Sequence, residues 1–310
     1  MTTIRDVGVI GLGRMGGGIA RRLDAAGRLA GAWDAGESAR AHAGLSDQVA
    51  FAPPAELARV CSAILFVLPG SAEIEECLTG PQGILSTEAR GQVLVDLTTS
   101  HPEATKRLAG LTASHGRAYL DAGMTGGAQA ADQGRLTLMA GGPAADLDRI
   151  RPVLDVIAAR IFHLGSTGSG HMMKLVHNMI CHTIFLATSE GCHMAERAGI
   201  RLSDAVEVLN AGNARSFISE VRFPNHILSG TFDGRSPVSN LAKDLAMAVE
   251  MQREMSFSGH YAPLTERLLS RAVEHGMADR DFTTLYQIIE TLMADEASEA
   301  SMSDVPATAV

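Results

Sequence analysis

The stretch VGVIGLGRMGGGIARRL, Val7 to Leu23, decides how the rest of the chain is read. VGVI is an uninterrupted run of strand type, and from Met15 onward the apolar residues recur at helical spacing. Between the two stand Gly11, Gly13 and Gly16, a GxGxxG set. The first glycine permits a tight turn, the second lets backbone approach a pyrophosphate, and the third lets the helix pack close to the strand, with the helix N-terminus facing the anion. Glycine-rich turns are common, so the set draws its meaning from its flanks: a strand before it, a helix after it, and Asp34 closing the next strand, LAGAW. A carboxylate at that distance meets the ribose hydroxyls of an adenosine. The loop Gly11, Leu12, Gly13, Arg14, Met15, Gly16 is therefore read as a dinucleotide cradle. Asp34 repels a 2′-phosphate and is followed by Ala35 and Gly36 rather than by arginine, so NAD is expected, with NADP possible.

Strand and helix signals go on alternating to about residue 164, through SAILFVL, QVLVDL, AYLDA, LTLMAG and RIFHL. Apolar runs separated by helical stretches indicate parallel strands covered on both faces, a Rossmann-type, doubly wound α/β domain. The loop after the fourth strand, with Leu68 and Pro69, is expected to cover the cofactor towards its nicotinamide, and Thr98 ends a strand at the same sheet edge. Beyond Gly170 helical periodicity takes over. A segment from Met172 to Arg197 has no proline or tight-turn pair and stops at Gly199, which predicts one long helix of roughly 40 Å. Further helices are expected at Leu202–Asn210, Phe217–Leu228, Asn240–Met255, Pro263–Gly276 and Phe282–Asp295. At 310 residues the chain exceeds the roughly 250 to 300 that one core usually serves. The expected division is a dinucleotide-binding domain over 1–165, an interdomain helix over 166–197, an all-α domain over 198–297 and a flexible tail over 298–310.

A net charge of -9 offers no basic surface for a phosphate backbone, so nucleic acid is not an expected partner. No apolar run reaches the roughly 18 residues of a membrane span, and no secretory signal pattern opens the chain, so the cytoplasm is the expected location. Cys61, Cys77, Cys181 and Cys192 show no CxxC spacing; they read as reduced thiols, with no metal site expected.

Four segments then fall into one order: GLGRMG, DLTTSHP (Asp96 to Pro102), DAGMTGGAQAADQGRLTLMAGG (Asp121 to Gly142) and GSTGSGHMMKLVHN (Gly165 to Asn178). With LAKDLAMA, which holds Lys243 and Asp244, they resemble the signature segments of the β-hydroxyacid dehydrogenase family over nearly the whole chain. That resemblance implies an NAD(P)-linked oxidoreductase acting on a short 3-hydroxy acid or its semialdehyde, and assembly as a homodimer or homotetramer. It also implies a catalytic lysine at Lys174, an amide partner at Asn178 and a substrate-carboxylate loop at Thr125, Gly126 and Gly127. Lys243 is carried over as a cofactor contact. The chain departs from the family pattern at Thr125, usually serine, at His177, often asparagine, and at Ser236, often phenylalanine.

The chemistry suits these residue types. A lysine takes the hydroxyl proton as hydride leaves, if its surroundings bring its pKa towards neutrality. Lys174 and Asn178 lie four apart on one helix face, and Thr-Gly-Gly supplies a hydroxyl and unobstructed N–H groups to an anion. Asp244 either orients a lysine or forms a plain surface pair with Lys243. For His171 and His177 structural roles are expected. The alternatives are an NADP-linked semialdehyde or imine reductase on the same scaffold, and a non-catalytic dinucleotide-binding module.

Overall fold

The computed structural model describes residues 6–294 and divides into two compact units, Met1–Lys174 and Leu175–Val310. The expected tail over 298–310 lies outside the described residues.

The first unit alternates strand and helix: β1 (Val7–Ile10), α1 (Arg14–Ala25), β2 (Leu29–Trp33), α2 (Glu37–Ala41), β3 (Ala50–Phe51), α3 (Pro54–Val60), β4 (Ala63–Phe66), α4 (Ser71–Thr79) and β5 (Val93–Asp96). It continues with α5 (Pro102–Ser114), β6 (Ala118–Thr125), α6 (Gly127–Gln133), β7 (Leu136–Gly141), α7 (Ala144–Ile157) and β8 (Ala158–His163). The strands form one sheet in the order β3-β2-β1-β4-β5-β6-β7-β8. Successive strand residues point to opposite faces, so each strand feeds two cores. Val7, Val9, Leu65 and Val95 pack with Ile19 and Leu23 of α1 and Ile150 of α7, while Ile10, Ile64, Phe66 and Leu94 pack with Leu57 of α3, Ile74 of α4 and Leu108 of α5. Each such side chain, removed from water, stabilises the fold by about 1.5 to 3 kcal/mol.

Two features differ from the reading of the sequence. The sheet is not wholly parallel: β6 and β7 pair antiparallel, with Gly123 opposite Met139 and Thr125 opposite Thr137. Only residues 126–135 join them, fewer than the dozen or so that a parallel crossover needs. The elements β3, α3 and α6 carry no strong periodicity, and their place is set by packing. The order reverses between β1 and β4, and both strands deliver their following loops, at Gly11 and at Val67, to the carboxyl edge where doubly wound sheets bind ligands.

Helix α8 (Ser169–Arg197) runs 29 residues, about 44 Å, and the division between the units falls within it. It stops as expected at Gly199, which has φ +83°; the N–H of Ile200 bonds the Ala195 carbonyl and that of Gly199 the Glu196 carbonyl, a Schellman close.

The second unit contains α9 (Leu202–Ala211), a π-helical segment (Ile218–Leu228), α10 (Val238–Glu254), α11 (Tyr261–Ala272), a short π-helical turn (Val273–Met277) and a 3₁₀ segment (Phe282–Ile288). Phe185, Phe223, Leu241, Leu245, Leu269, Phe282 and Leu285 make its core. The segment expected as an ordinary helix at Phe217–Leu228 is wound wider, with Pro224 inside it. A proline supplies no N–H to the ladder, which accounts for local winding away from α geometry.

Candidate active site

The glycine loop has the shape its spacing implies. Gly11 holds φ +96°, a conformation that L side chains rarely adopt, and a Cβ there or at Gly16 would overlap neighbouring backbone oxygens, those of Val67 and Gly11. A Cβ on Gly13 meets nothing within 4 Å, and α1 starts from it without a side-chain cap. The first N–H groups of α1 are therefore left to a ligand, which fits a pyrophosphate. Asp34 grips the loop: Leu12 N–H donates to its Oδ2 at 2.7 Å and Gly36 N–H to its Oδ1 at 2.8 Å. Each oxygen keeps a lone pair for a ribose hydroxyl. Leu12 is buried, Met15 packs on the core, and Arg14 is exposed beside the loop. Leu68 is half-buried and Pro69 exposed beyond β4.

Behind the carboxyl edge lies a buried polar network that the sequence reading did not identify. Asp96 is fully buried; its Oδ1 accepts from the Thr98 N–H at 2.9 Å and hydroxyl at 2.5 Å, and its Oδ2 from Tyr119 at 2.8 Å. Burial, then the Asp96 charge, pushes the Tyr119 phenol well above its ordinary range, so it stays a donor. Thr98, expected at the cofactor, is buried and commits its hydroxyl to Asp96 and Ser100. His171 is fully buried, with Nδ1 2.7 Å from the Thr105 hydroxyl and Nε2 3.7 Å from Asp96. It is a structural histidine, as expected.

Asp121, also fully buried, holds the start of α8. Its oxygens accept the N–H groups of Gly168 at 2.7 Å and His171 at 2.9 Å. A carboxylate on orphan N–H groups is the favourable charge for that helix end. Gly170 lies so close to β7 that a Cβ would overlap the Met139 carbonyl. These contacts set the half-buried Lys174 over β6, where a Cβ on Gly123 would stand 2.6 Å from the Lys174 Cβ. Two residues on, Thr125 projects from the same face of β6 and leads into Gly126 and Gly127, whose φ values are +121° and +71°. Lys174 and the expected carboxylate loop thus share one strand. The signal for the network was present as Asp96 at the end of one strand and Asp121 within the next, but their burial could not be read.

In the second unit Asn178 is buried, and its Nδ2 donates to Asp244 Oδ2 at 2.6 Å. Asp244 is buried rather than solvated, and the amide is one of its partners. Lys243 Nζ lies 3.6 Å from Asp244 Oδ1. His177 Nδ1 is 3.1 Å from Asn178 Oδ1, and the Ser236 carbonyl accepts from the Phe282 N–H.

Residues 6–165 match the family described as the NAD binding domain of 6-phosphogluconate dehydrogenase, and residues 168–289 the one described as the NAD-binding domain of NADP-dependent 3-hydroxyisobutyrate dehydrogenase. The 2-(hydroxymethyl)glutarate dehydrogenase of Eubacterium barkeri is 28% identical over 286 residues, covering 92% of this chain and 95% of that one. The NAD-dependent L-serine dehydrogenase of Pseudomonas aeruginosa is 26% identical over 293 residues, 93% and 98% of the two chains. The 3-hydroxyisobutyrate dehydrogenase of Salmonella typhimurium superposes with a TM-score of 0.81 at 28% identity, over 91% of this chain and 99% of that one. Glycine cradle, lysine helix and matched families agree: the chain belongs to the β-hydroxyacid dehydrogenase family and is an NAD(P)-dependent hydroxyacid dehydrogenase.

Proposed function

We propose that the protein is an NAD-preferring dehydrogenase of short 3-hydroxy acids, working in reverse as a semialdehyde reductase, with Lys174 as its general acid/base. The observation that carries this reading is the placement of Lys174 over Gly123, on the face of β6 from which Thr125 projects. A substrate with its carboxylate on Thr125, Gly126 and Gly127 then brings a hydroxyl on the β-carbon towards the lysine. The substrates named for the relatives above, 3-hydroxyisobutyrate, 2-(hydroxymethyl)glutarate and L-serine, all carry a hydroxyl β to a carboxyl group.

The glycine loop and Asp34 hold the dinucleotide, with Leu68, Pro69 and Lys243 along its course. Bound NAD supplies the acceptor for the hydride that leaves the carbinol carbon. Lys174 Nζ takes the hydroxyl proton as the carbonyl forms, and returns it in reduction. Asn178, oriented by Asp244, binds a substrate oxygen. Preference for NAD follows from Asp34, whose charge opposes a 2′-phosphate, and from the lack of an adjacent arginine.

The test is steady-state oxidation of 3-hydroxyisobutyrate, 3-hydroxypropionate, glycerate and serine with NAD and with NADP, alongside the methyl ester of the best acid. The ester should lose about ten- to a hundredfold in kcat/KM, the effect of removing a charge-assisted contact. An ester that reacts as well as its acid turns the reading to a semialdehyde or imine reductase, and a higher kcat/KM with NADP overturns the cofactor preference.

A further inference from the structure

His171 is a buried titratable side chain that the chemistry above leaves unused, and it stands in the first unit, three positions before Lys174. Two carboxylates are withdrawn from water beside it. Asp96 and Asp121 are register partners on the parallel strands β5 and β6, and both are fully buried. Neighbouring strands run about 4.8 Å apart, so the side chains of register partners stand side by side. Every hydrogen bond described above to these acids comes from a neutral group: the N–H groups of Thr98, Gly168 and His171, and the hydroxyls of Thr98 and Tyr119. Neutral donors solvate a carboxylate but leave its charge unbalanced, which is unfavourable in a dry interior. The ring of His171 stands where it can balance that charge, with Nε2 3.7 Å from Asp96 Oδ1.

The hydrogen bonds around the ring fix where its protons lie. Thr105 has one hydroxyl proton, and its Oγ1 donates to the His101 carbonyl at 3.2 Å, a group that only accepts. Thr105 therefore accepts from His171, so Nδ1, 2.7 Å away, carries a proton. Nε2 is left facing Asp96, and among the described residues it makes no hydrogen bond. A neutral ring would turn a lone pair towards the anion there, whereas a ring protonated at both nitrogens turns an N–H towards it.

The same residue fixes the phase of α8. Its N–H goes to Asp121 of β6, and its ring faces Thr105 of α5 and Asp96 at the end of β5, so three elements hold one position of the helix. Residues three apart are neighbours on a helix surface, and Lys174 lies against Gly123, two residues along β6 from Asp121. A shift of the first turn, driven by an unbalanced Asp96, would carry Lys174 off that strand.

We propose that His171 is a positioning residue for the reaction: a buried imidazolium that balances Asp96 and thereby holds Lys174 in place for the substrate hydroxyl. This rests on the reading of Lys174 as the general acid/base.

The experiment uses His171→Gln, Asp96→Asn and the double variant, with 3-hydroxyisobutyrate and NAD. His171→Gln replaces the charged Nε2–H by a neutral amide. It should lower kcat by about ten- to a hundredfold, as a misplacement of about 1 Å does, with KM and the Kd of NAD nearly unchanged. Adding Asp96→Asn removes the unbalanced charge and should return most of the lost kcat, a coupling that two independent structural defects would not show. An unchanged kcat in His171→Gln, a loss spread over kcat, KM and NAD affinity alike, or a double variant no better than His171→Gln overturns the proposal. Nitrogen NMR of the wild type, with the His171 ring assigned through the Thr105 methyl, needs neither a variant that folds nor turnover. Under assay conditions it should show protons on both ring nitrogens, and a single protonated nitrogen overturns the proposal. Turnover by a wild type whose ring is neutral refutes the role of His171 alone; failure to oxidise any hydroxy acid refutes the hydroxyacid reading, whatever the ring spectrum shows.

Discussion

Gly123 does for Lys174 what no side chain could. By leaving out a Cβ it lets the lysine stem lie against β6, 2.6 Å from where that Cβ would stand. The lysine stem is thereby held against the strand that ends in Thr125, just before the two glycines. Lys174→Ala should lower turnover by about a hundredfold or more while NAD affinity stays nearly intact, because only the proton-transfer group is lost. Stopped-flow turnover and fluorescence titration of the dinucleotide check it; unchanged turnover in a folded variant removes Lys174 from the mechanism.

At the scale of the element, α8 is packed tightly at its first turn, whereas one position near its far end is open. Asp121 takes the N–H groups of Gly168 and His171, and Gly170 sits against the Met139 carbonyl. Gly191, in the same helix, is exposed, with nothing within 4 Å of its Cβ position. Alanine at the two positions should therefore act in opposite directions. Gly170→Ala overpacks the start of α8 and should cost about 1 to 3 kcal/mol, with a fall in kcat as Lys174 shifts. Gly191→Ala removes a helix-interior glycine and should add about 0.5 to 1 kcal/mol. Urea unfolding of both variants measures the contrast, and equal effects would mean that α8 is not anchored at its first turn.

For the whole molecule, the buried thiols make stability depend on alkaline pH. Burial first, and then Asp6, pushes Cys61 to about 12; burial first, and then Glu76 and Glu73, does the same for Cys77. In the unfolded chain such thiols titrate near about 8.5. The folded state then holds protons that the unfolded state releases, so the contribution is full below that pH and is lost as pH rises towards 12. The slope approaches about 1.4 kcal/mol per pH unit for each thiol. Urea midpoints at pH 8 and pH 10 should fall accordingly in the wild type, and less in a Cys61→Ala/Cys77→Ala variant. The second expectation at this scale is a homodimer or homotetramer. On α10, Met251 is buried and offers it no support, whereas Met255 is exposed. Met194, Val208 and Tyr261, each more than 70% exposed, are the better support. Light scattering should return a multiple of 32.6 kDa, and a monomer at micromolar concentration would refute it.

What the sequence determined by itself were the features that depend on neighbours along the chain. GLGRMG between a strand and a helix, Asp34 one strand later, and the unbroken run to Arg197 were legible because turn geometry and helix period act over a few residues. Tertiary structure decided what depends on residues far apart. The antiparallel β6–β7 pair, the burial of Asp96 and Asp121, and the bond from Asn178 to Asp244, 66 positions away, follow from packing, and no local pattern encodes them. Asp244 shows the difference most plainly: in sequence it reads either as a carboxylate that orients a lysine or as half of a Lys-Asp surface pair, whereas the fold removes it from water and gives it the Asn178 amide beside Lys243. Burial makes a charge seek its partner, and only the folded chain decides which groups are buried together.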